Sequence, residues 1–272
     1  MGNTESFTTN NYITIYSVSN SDYQEWQADL LDKTFKQVGM PGTLYRLVSD
    51  DLDFPNRPFG TSSISKVIKV PSFAKLPNRI YTAMNKPGSL IELFKRINIP
   101  NDTIMIFVDP DMIFTKPWLP TPDFGTVYGQ RWKGYSKAYC ANTQQLENCP
   151  NSETDSIMYP FSMRAADAKK ISQDYFNYSA VFSNDWMVEM AALVAAMKHS
   201  KLSIITNESI GLCNDWNNNN DPNAPILHYC QCVKDKYGNE LWCKRRHTKG
   251  TKVPNPSVAL NRVDREVLQR LS

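Results

Sequence analysis

The amino-acid sequence predicts an α/β protein with a mostly parallel central sheet flanked by helices. From the N-terminus onward, β-rich segments alternate with amphipathic segments, which implies parallel strands joined by right-handed helical crossovers. Residues Thr103–Val108 (TIMIFV) form a strongly apolar run, which is typical of a strand buried on both faces of such a sheet. The chain has 272 residues, enough to bury a substantial core.

The first half of the chain carries clear local signals for its elements. Tyr12–Ser19 alternates and is β-rich, which predicts the first strand. Ser21 can cap a helix that runs to Val38, where Gly39 and Pro41 stop it. The remaining elements predicted before residue 110 are two strands, a helix opened by Asn85 or Lys86 with Pro87, and the apolar strand: Leu44–Val48, Lys66–Val70, residues 85–100 and Thr103–Val108.

The second half alternates between turn-rich stretches and shorter elements. Residues 129–156 and 214–224 are polar and turn-rich, and loops of this length are usually functional lids or disordered. We predict one strand and three helices, the last of them docked on the body: Ile157–Met163, Arg164–Tyr175, Asp185–His199 and Ser257–Leu271. The chain therefore reads as an N-terminal tail (1–11), one domain (12–256) and a C-terminal helix (257–272).

The composition excludes several classes of protein. With 41% hydrophobic residues the chain is too apolar to be disordered. Its 30 Lys and Arg against 27 Asp and Glu give a charge of +3, too small for a polycation that coats nucleic acid. Six cysteines are too few for a disulfide-knit scaffold, and reduced, packed thiols are expected.

The N-terminal sequence bears on the location of the protein. No segment approaches the roughly 20 apolar residues that a membrane span needs. The start, MGNTESFTTNN, has no apolar core and does not read as a secretory signal. Gly2 followed by Ser6 matches the short pattern for N-myristoylation, which recurs by chance. We expect a cytoplasmic protein; the oligomeric state stays open.

Two carboxylates follow the apolar strand directly, in the triplet Asp109-Pro110-Asp111. Ligands of open α/β sheets gather at the carboxyl ends of the strands, where this triplet falls. Carboxylates one residue apart in a turn can point the same way and offer hard oxygen ligands to Mn²⁺ or Mg²⁺. The alternative is an ordinary Asp-Pro turn that closes a strand.

His228 ends a short apolar run and is a further candidate ligand. A histidine in that position is often a hydrogen-bonded structural residue, but here a basic segment follows it. Lysines and arginines beside a metal ligand suit a diphosphate bound to the metal, whereas their other interpretation is a solvated hairpin surface. Cys230, Cys232 and Cys243 are spaced unlike paired zinc ligands, so a zinc site is disfavoured.

Asp185 and Glu189 lie one turn apart on the helix that begins near residue 185. Acids near a helix N-terminus are favoured by the helix dipole, which gives a structural interpretation for both. Glu189 lies in a strongly apolar helix, where an unpaired carboxylate would be costly. Both are therefore candidates for a functional acid.

Taken in order, seven segments resemble a known family: SVSNSDYQEWQ, LYRLVS, MNKPGSLIELFKR, IMIFVDPDMIF, NDWMVEMAAL, ILHYC and LWCKRRHTKG. They are similar to the plant hydroxyproline O-arabinosyltransferases and peptidyl-serine galactosyltransferases, which are nucleotide-sugar-dependent enzymes of the GT-A (Rossmann-like) fold. The resemblance covers residues 12–250. Because the chain lacks the membrane anchor of those Golgi enzymes, it looks like soluble relatives in large DNA viruses of algae, which build their own capsid glycans.

The resemblance implies a role for individual residues. Asp109 and Asp111 match the family's acidic metal motif, and His228 matches the histidine that is its third metal ligand. A second set matches positions that contact the donor or its diphosphate: Arg46, Asn85 and Lys86. Lys234, six residues after His228, resembles instead the phosphate-binding lysine of glycogenin-like enzymes. Glu189 matches a family acid, whereas Asp185 stands where those enzymes have a small residue, so the choice of base stays open.

The implied reaction transfers a sugar, expected to be a pentose, from a UDP-sugar to a hydroxyl of a glycan or glycoprotein. Mn²⁺ or Mg²⁺ would neutralise the leaving diphosphate together with Lys86, Lys234 and Lys244, while Ser17 and Val18 would hold uridine. Inversion, the favoured outcome, needs a base, Asp185 or Glu189.

The long loops would face the acceptor. Three of their aromatic residues would either stack on sugars or anchor the loops: Trp132, Tyr135 and Trp216. A glycan-binding protein on the same fold and a metal-dependent nucleotidyltransferase are the alternatives.

Overall fold

A computed structural model of the chain describes residues 11–50, 60–132, 156–181, 187–214, 220–248 and 251–272. Five α-helices occur in this part of the chain: α1 (Asp22–Gln37), α2 (Asn85–Arg96), α3 (Ala165–Val181), α4 (Val188–His199) and α5 (Arg262–Leu271). None of these helices is long and apolar enough to cross a membrane. The interpretations of Gly2, Tyr135, Asp185 and Trp216 concern residues outside the described ranges.

The strands of the described residues form one large sheet and three small ones. Seven strands make the central sheet: β1 (Tyr12–Ser19), β2 (Thr43–Ser49), β3 (Lys66–Val70), β6 (Ile104–Phe107), β8 (Thr126–Arg131), β9 (Ile157–Arg164) and β10 (Ser203–Asn207). The others are short: β4 (Lys75–Leu76), β5 (Arg79–Ile80), β7 (Met112–Phe114), β11 (Gly211–Cys213), β12 (Ile226–His228), β13 (Val233–Lys234) and β14 (Glu240–Trp242).

The central sheet has the strand order β10-β8-β9-β6-β1-β2-β3. Its pairings are parallel except at β9, which runs antiparallel to both β6 and β8. Six of the seven strands therefore point the same way, and the predicted α/β class with a mostly parallel sheet is confirmed. The reversed β9 was not foreseen, because the direction of a strand depends on distant partners rather than on its own sequence.

Helices cover both faces of this sheet, as neighbouring residues of β1 show. Successive side chains of a strand point to opposite faces. The Tyr16 hydroxyl donates to Asp32 of α1 (2.6 Å), whereas the next residue, Ser17, contacts the Asn85 carbonyl and Ser89 of α2. Helix α1 therefore lies on one face and α2 on the other, where α3 and α4 also pack.

A second apolar cluster joins the C-terminal part of the chain to α1. Trp26 of α1 packs against Tyr229 and Trp242, with ring centroids 6.1 and 5.9 Å apart. Helix α5 adds three fully buried side chains to this cluster: Val263, Val267 and Leu268. The predicted docking of the C-terminal helix is confirmed, although the α-helix begins at Arg262, after a short 3₁₀ turn at Pro256–Val258.

Candidate functional site

The Asp109-Pro110-Asp111 triplet lies at the carboxyl end of β6, at the edge of the sheet where the parallel strands end. After the triplet the chain enters β7, which pairs antiparallel with β12 so that His228 faces Met112. This register brings the histidine beside the triplet, and its Nε2 lies 3.1 Å from Asp111 Oδ1. A pairing between strands far apart in sequence thus assembles the group.

Asp109, Asp111 and His228 together form a possible metal-binding group. One donor atom from each residue lies within 4.8 Å of the others. The aspartate side chains are 13% exposed, so the group is accessible, and the buried His228 Nδ1 has no hydrogen-bond partner among the described residues. Two carboxylates and an imidazole suit divalent ions such as Mn²⁺, which fits the chemistry expected of the triplet. The group does not by itself identify the metal.

A lysine contacts each of the two aspartates. Lys86 Nζ, from the first turn of α2, lies 2.7 Å from Asp109 Oδ1. Lys244, at the start of a 3₁₀ turn after β14, forms a close ion pair with Asp111 Oδ2. Lys244 is 8% exposed and Lys86 is partly buried. The site thus combines two carboxylates with two ammonium groups at close range.

These contacts shift the ionisation of the site. Burial tends to raise the pKa of Asp111, but the Lys244 and His228 groups beside it hold that pKa well below its usual range. Burial tends to lower the pKa of Lys86, but the carboxylates of Asp109 and Glu189 outweigh it and raise that pKa. Asp111 and Lys86 are therefore charged at neutral pH.

Glu189 of α4 lies behind Lys86 and is 3% exposed. Its Oε1 accepts hydrogen bonds from Tyr175 and, at 3.4 Å, from Tyr159, while its Oε2 lies 3.4 Å from Lys86 Nζ. Its backbone N–H donates to the Tyr81 hydroxyl at 2.9 Å. Burial raises the pKa of this carboxyl, against the opposing effect of Lys86. These contacts supply the partners without which a carboxylate in an apolar helix would be costly.

A small cavity lies beside this network, between the sheet and helices α2, α3 and α4. Its volume is about 30 Å³, and its lining is mainly apolar apart from Lys86, Asp109 and the tyrosines. That space accommodates one or two water molecules rather than a sugar or nucleotide.

Other residues proposed to bind the donor lie away from the paired charges or contact other groups. Arg46 is 3% exposed and its guanidinium contacts Asp29 of α1 at 3.1 Å, on the face of the sheet opposite to α2. Asn85 is buried and accepts the Phe73 N–H at 2.7 Å, which holds the loop before α2. Lys234 is exposed on the β13–β14 hairpin. Their roles in donor binding stay predictions.

Ser17 and Val18 lie near the end of β1, with Ser17 on the face that contacts α2 and Val18 buried on the other face. Their proposed contact with uridine stays a prediction. Trp132 is 2% exposed, and its backbone pairs with Ser156. It is therefore a buried loop anchor rather than an exposed ring that could stack on a sugar. Asp185 lies outside the described residues, and its proposed role as a base stays a prediction.

The expectation of reduced thiols is wrong for four cysteines. Cys213 is bonded to Cys230, and Cys232 is bonded to Cys243. The sequence argument weighed the number of cysteines, whereas the folding of β11–β14 brings these pairs together, with Cα atoms 6.1 and 4.2 Å apart. The sulfurs of Cys232 and Cys243 are thereby unavailable as thiolate ligands, which agrees with the disfavoured zinc site.

Comparison with solved structures identifies the fold. The chain superposes on the structure described as the WbbM bifunctional glycosyltransferase in its apo form, with a TM-score of 0.52 and 9% sequence identity. The match covers 82% of this chain and 46% of that one. This chain has a glycosyltransferase fold. It spans less than half the length of the structure that it matches.

Comparison of sequences gives a distant relationship that agrees with the fold. The chain is 29% identical over 109 residues to a peptidyl serine alpha-galactosyltransferase of Arabidopsis thaliana. That match covers 39% of this chain and 13% of the plant protein, so it concerns a small part of that protein. No family model matches the sequence.

The sequence reasoning missed the tyrosines around Glu189. Tyr159 lies in a strongly apolar strand and Tyr175 in a mixed helix, where aromatic residues read as ordinary core. Their hydroxyls meet at 3.2 Å beside the Glu189 carboxylate. The sequence feature that could have indicated these tyrosines is Glu189 itself, because a buried carboxylate requires hydrogen-bond donors from neighbouring elements.

Proposed function

We propose that this protein is a metal-dependent glycosyltransferase, which moves a sugar from a nucleoside diphosphate sugar to a hydroxyl group. The observation that carries the proposal is the grouping of Asp109, Asp111 and His228 with two lysines, at the strand ends of a glycosyltransferase fold. Carboxylates alone would also suit a calcium-binding lectin. The paired lysines favour a ligand that carries phosphate.

Each group of residues in the site has a separate proposed role. Asp109, Asp111 and His228 would hold a divalent cation, expected to be Mn²⁺ or Mg²⁺, which supplies charge stabilisation for the departing diphosphate. Lys86 and Lys244 bind phosphate oxygens and stabilise the negative charge that develops on the leaving group. Ser17 and Val18, at the end of β1, bind the uracil end of the donor.

A transfer that inverts the anomeric carbon needs a base for the acceptor proton. Both oxygens of Glu189 are already in contact with a tyrosine or Lys86, and its side chain is buried. We therefore propose Asp185 as the base and assign Glu189 the task of holding Lys86. If the enzyme retains configuration, Asp185 positions the acceptor.

The donor is proposed to be a UDP-pentose, and the acceptor a hydroxyl of a glycan or glycoprotein. Support comes from the resemblance of the sequence to arabinosyl- and galactosyltransferases and from the partial match to a peptidyl serine alpha-galactosyltransferase. A role in the synthesis of viral capsid glycans rests on the same resemblance.

An NMR-followed reaction with a panel of UDP-sugars and short acceptors tests the proposal. We expect Mn²⁺-dependent release of UDP and a new anomeric signal with at least one donor, both abolished by EDTA. The configuration of the product decides between inversion and retention. Glycan binding without turnover would support the lectin alternative, and turnover of a nucleoside triphosphate alone would support the nucleotidyltransferase.

A further inference from the structure

We propose that Lys86 and Lys244 are exchangeable counter-ions, each of which leaves an aspartate for the donor diphosphate when a divalent cation binds. This inference rests on the proposed function. It predicts that the cation and the diphosphate bind cooperatively and that each binds weakly alone.

The first argument is that the lysines contact the same carboxylates that a cation needs. Lys86 Nζ lies 2.7 Å from Oδ1 of Asp109, which is one of the three residues of the metal-binding group. Asp111 has Lys244 on Oδ2 and His228 on Oδ1, so both of its oxygens are engaged. A cation that ligates these carboxylates must compete with the ammonium groups for their charge.

The second argument is that neither lysine has to leave the site when it releases its aspartate. Lys86 remains within 3.4 Å of Glu189 and 4.3 Å from the centre of the Tyr159 ring. Lys244 is 8% exposed and follows Cys243, which is tied by a disulfide to Cys232. Both ammonium groups therefore stay beside the cation site. Lys244 then needs a new anionic partner, and Lys86 keeps only the longer contact with Glu189.

The third argument concerns the charge of the group. Each of the two aspartates is already paired with an ammonium group, and Glu189 also lies beside Lys86. A divalent cation would add two positive charges to this partly buried site, where charges interact more strongly than in water. A nucleoside diphosphate carries negative charge that offsets this addition. Cation and diphosphate each improve the site for the other, and such coupling is reciprocal.

Binding of Mn²⁺, followed through the EPR signal of the free ion, tests the inference. Each protein is titrated with Mn²⁺ in three conditions: without nucleotide, with UDP and with uridine. The Mn²⁺–UDP complex that forms in free solution is measured in a sample without protein, and its contribution is subtracted. The proteins are the wild type, Lys86→Met and Lys244→Met. Lys33→Met is the matched control, because Lys33 is exposed on α1, on the face of the sheet opposite to Lys86.

We expect UDP to tighten Mn²⁺ binding to the wild type about tenfold or more, within the usual range of such coupling, and uridine to have no effect. Lys86→Met and Lys244→Met should each bind Mn²⁺ alone more tightly than the wild type. Both should lose most of the tightening by UDP, whereas Lys33→Met should behave as the wild type.

Three results would overturn the inference: UDP without effect on Mn²⁺ affinity, weaker binding of Mn²⁺ alone by either variant, or an equal effect of Lys33→Met. Circular dichroism shows whether each variant is folded. If one is not, the other decides, and the absence of coupling in the wild type overturns the inference without any variant. Coupling without sugar transfer would contradict the proposed function alone, whereas transfer without coupling would contradict this inference alone.

Discussion

At the scale of residues, the site depends on how a buried carboxylate is kept in place. Glu189 is surrounded by hydroxyl donors and by Lys86, so its charge is compensated where an apolar helix would otherwise exclude it. In return, it keeps the Lys86 ammonium beside Asp109. The sequence identified Glu189 as unusual, and the structure adds the groups that make its burial tolerable.

Glu189→Gln tests this positioning role. The amide keeps the shape and can accept from Tyr175, but it removes the negative charge beside Lys86, so we expect affinity for UDP with Mn²⁺ to fall about tenfold. The dependence of kcat on pH should keep its ascending limb. Steady-state kinetics with donor and acceptor varied in turn, over a range of pH, measure both quantities.

A base at Glu189 would give a different pattern. The variant would then lose roughly 10²–10⁴-fold in kcat and lose the ascending limb, with unchanged affinity for UDP. Glu92→Gln is the control, because Glu92 also pairs with basic residues but lies on the surface of α2, where ion pairs contribute little.

At the scale of elements, the C-terminal segment that follows β10 supplies His228 and Lys244 to the site. Cys213–Cys230 joins the end of β11 to the residues after β12, and Cys232–Cys243 closes the β13–β14 hairpin. His228 and Lys244 therefore lie within two residues of a disulfide. Short strands such as these gain much of their order from cross-links and from the cluster around Trp26.

Reduction of the disulfides should loosen this segment. Loops of 17 and 11 residues predict a loss of about 3 kcal/mol in the free energy of unfolding for each cross-link. Thermal unfolding with and without a phosphine reductant measures the effect, and a Cys232→Ser/Cys243→Ser variant assigns it. Peptide mapping of the unreduced protein that finds these four cysteines as free thiols would contradict the assignment.

Helix α5 should dock in a pH-dependent way through Asp264. This carboxylate is 1% exposed and accepts hydrogen bonds from Asn214 and Asn261, yet burial raises its pKa to about 6. Because the folded pKa lies above the unfolded value, the folded state binds more protons between about pH 4 and 6. Stability is therefore lost as pH rises through that window, by about 3 kcal/mol.

Urea unfolding of the wild type and of Asp264→Asn at pH 4 and pH 7 isolates this contribution. Other acids titrate in both proteins, so the difference between them reports on Asp264. The wild type should lose stability relative to the variant as pH rises. A difference that stays constant, or that changes in the opposite direction, would contradict the assignment.

At the scale of the whole molecule, local patterns predicted the first half of the fold well. The strand Tyr12–Ser19 and the Ser21 cap coincide with β1 and the start of α1, because alternation and capping are local signals. The strands β7, β11 and β12 were missed, since three-residue strands take their conformation from distant partners. The helix predicted from Arg164 to Tyr175 runs on to Val181.

In the candidate site, too, local sequence patterns predicted some features and missed those that depend on tertiary contacts. Asp109 and Asp111 could be predicted because they follow an apolar strand, and His228 because it ends a short apolar run that a basic segment follows. The ion pairs of Lys86 and Lys244 with those aspartates could be recognised only from the tertiary structure.

The disulfides remove the reduced-thiol argument for a cytoplasmic location, since such bonds persist mainly in oxidising compartments. The location itself stays a prediction.

The most direct test of the metal-dependent glycosyltransferase is the hydrolysis of UDP-sugars by Asp109→Ala, measured as UDP released with saturating Mn²⁺. Asp123→Ala is the matched control, because Asp123 is an exposed aspartate elsewhere in the domain. With both variants folded, we expect hydrolysis and transfer by Asp109→Ala to be abolished and those of Asp123→Ala to equal the wild type. Near-normal turnover by Asp109→Ala would contradict the account.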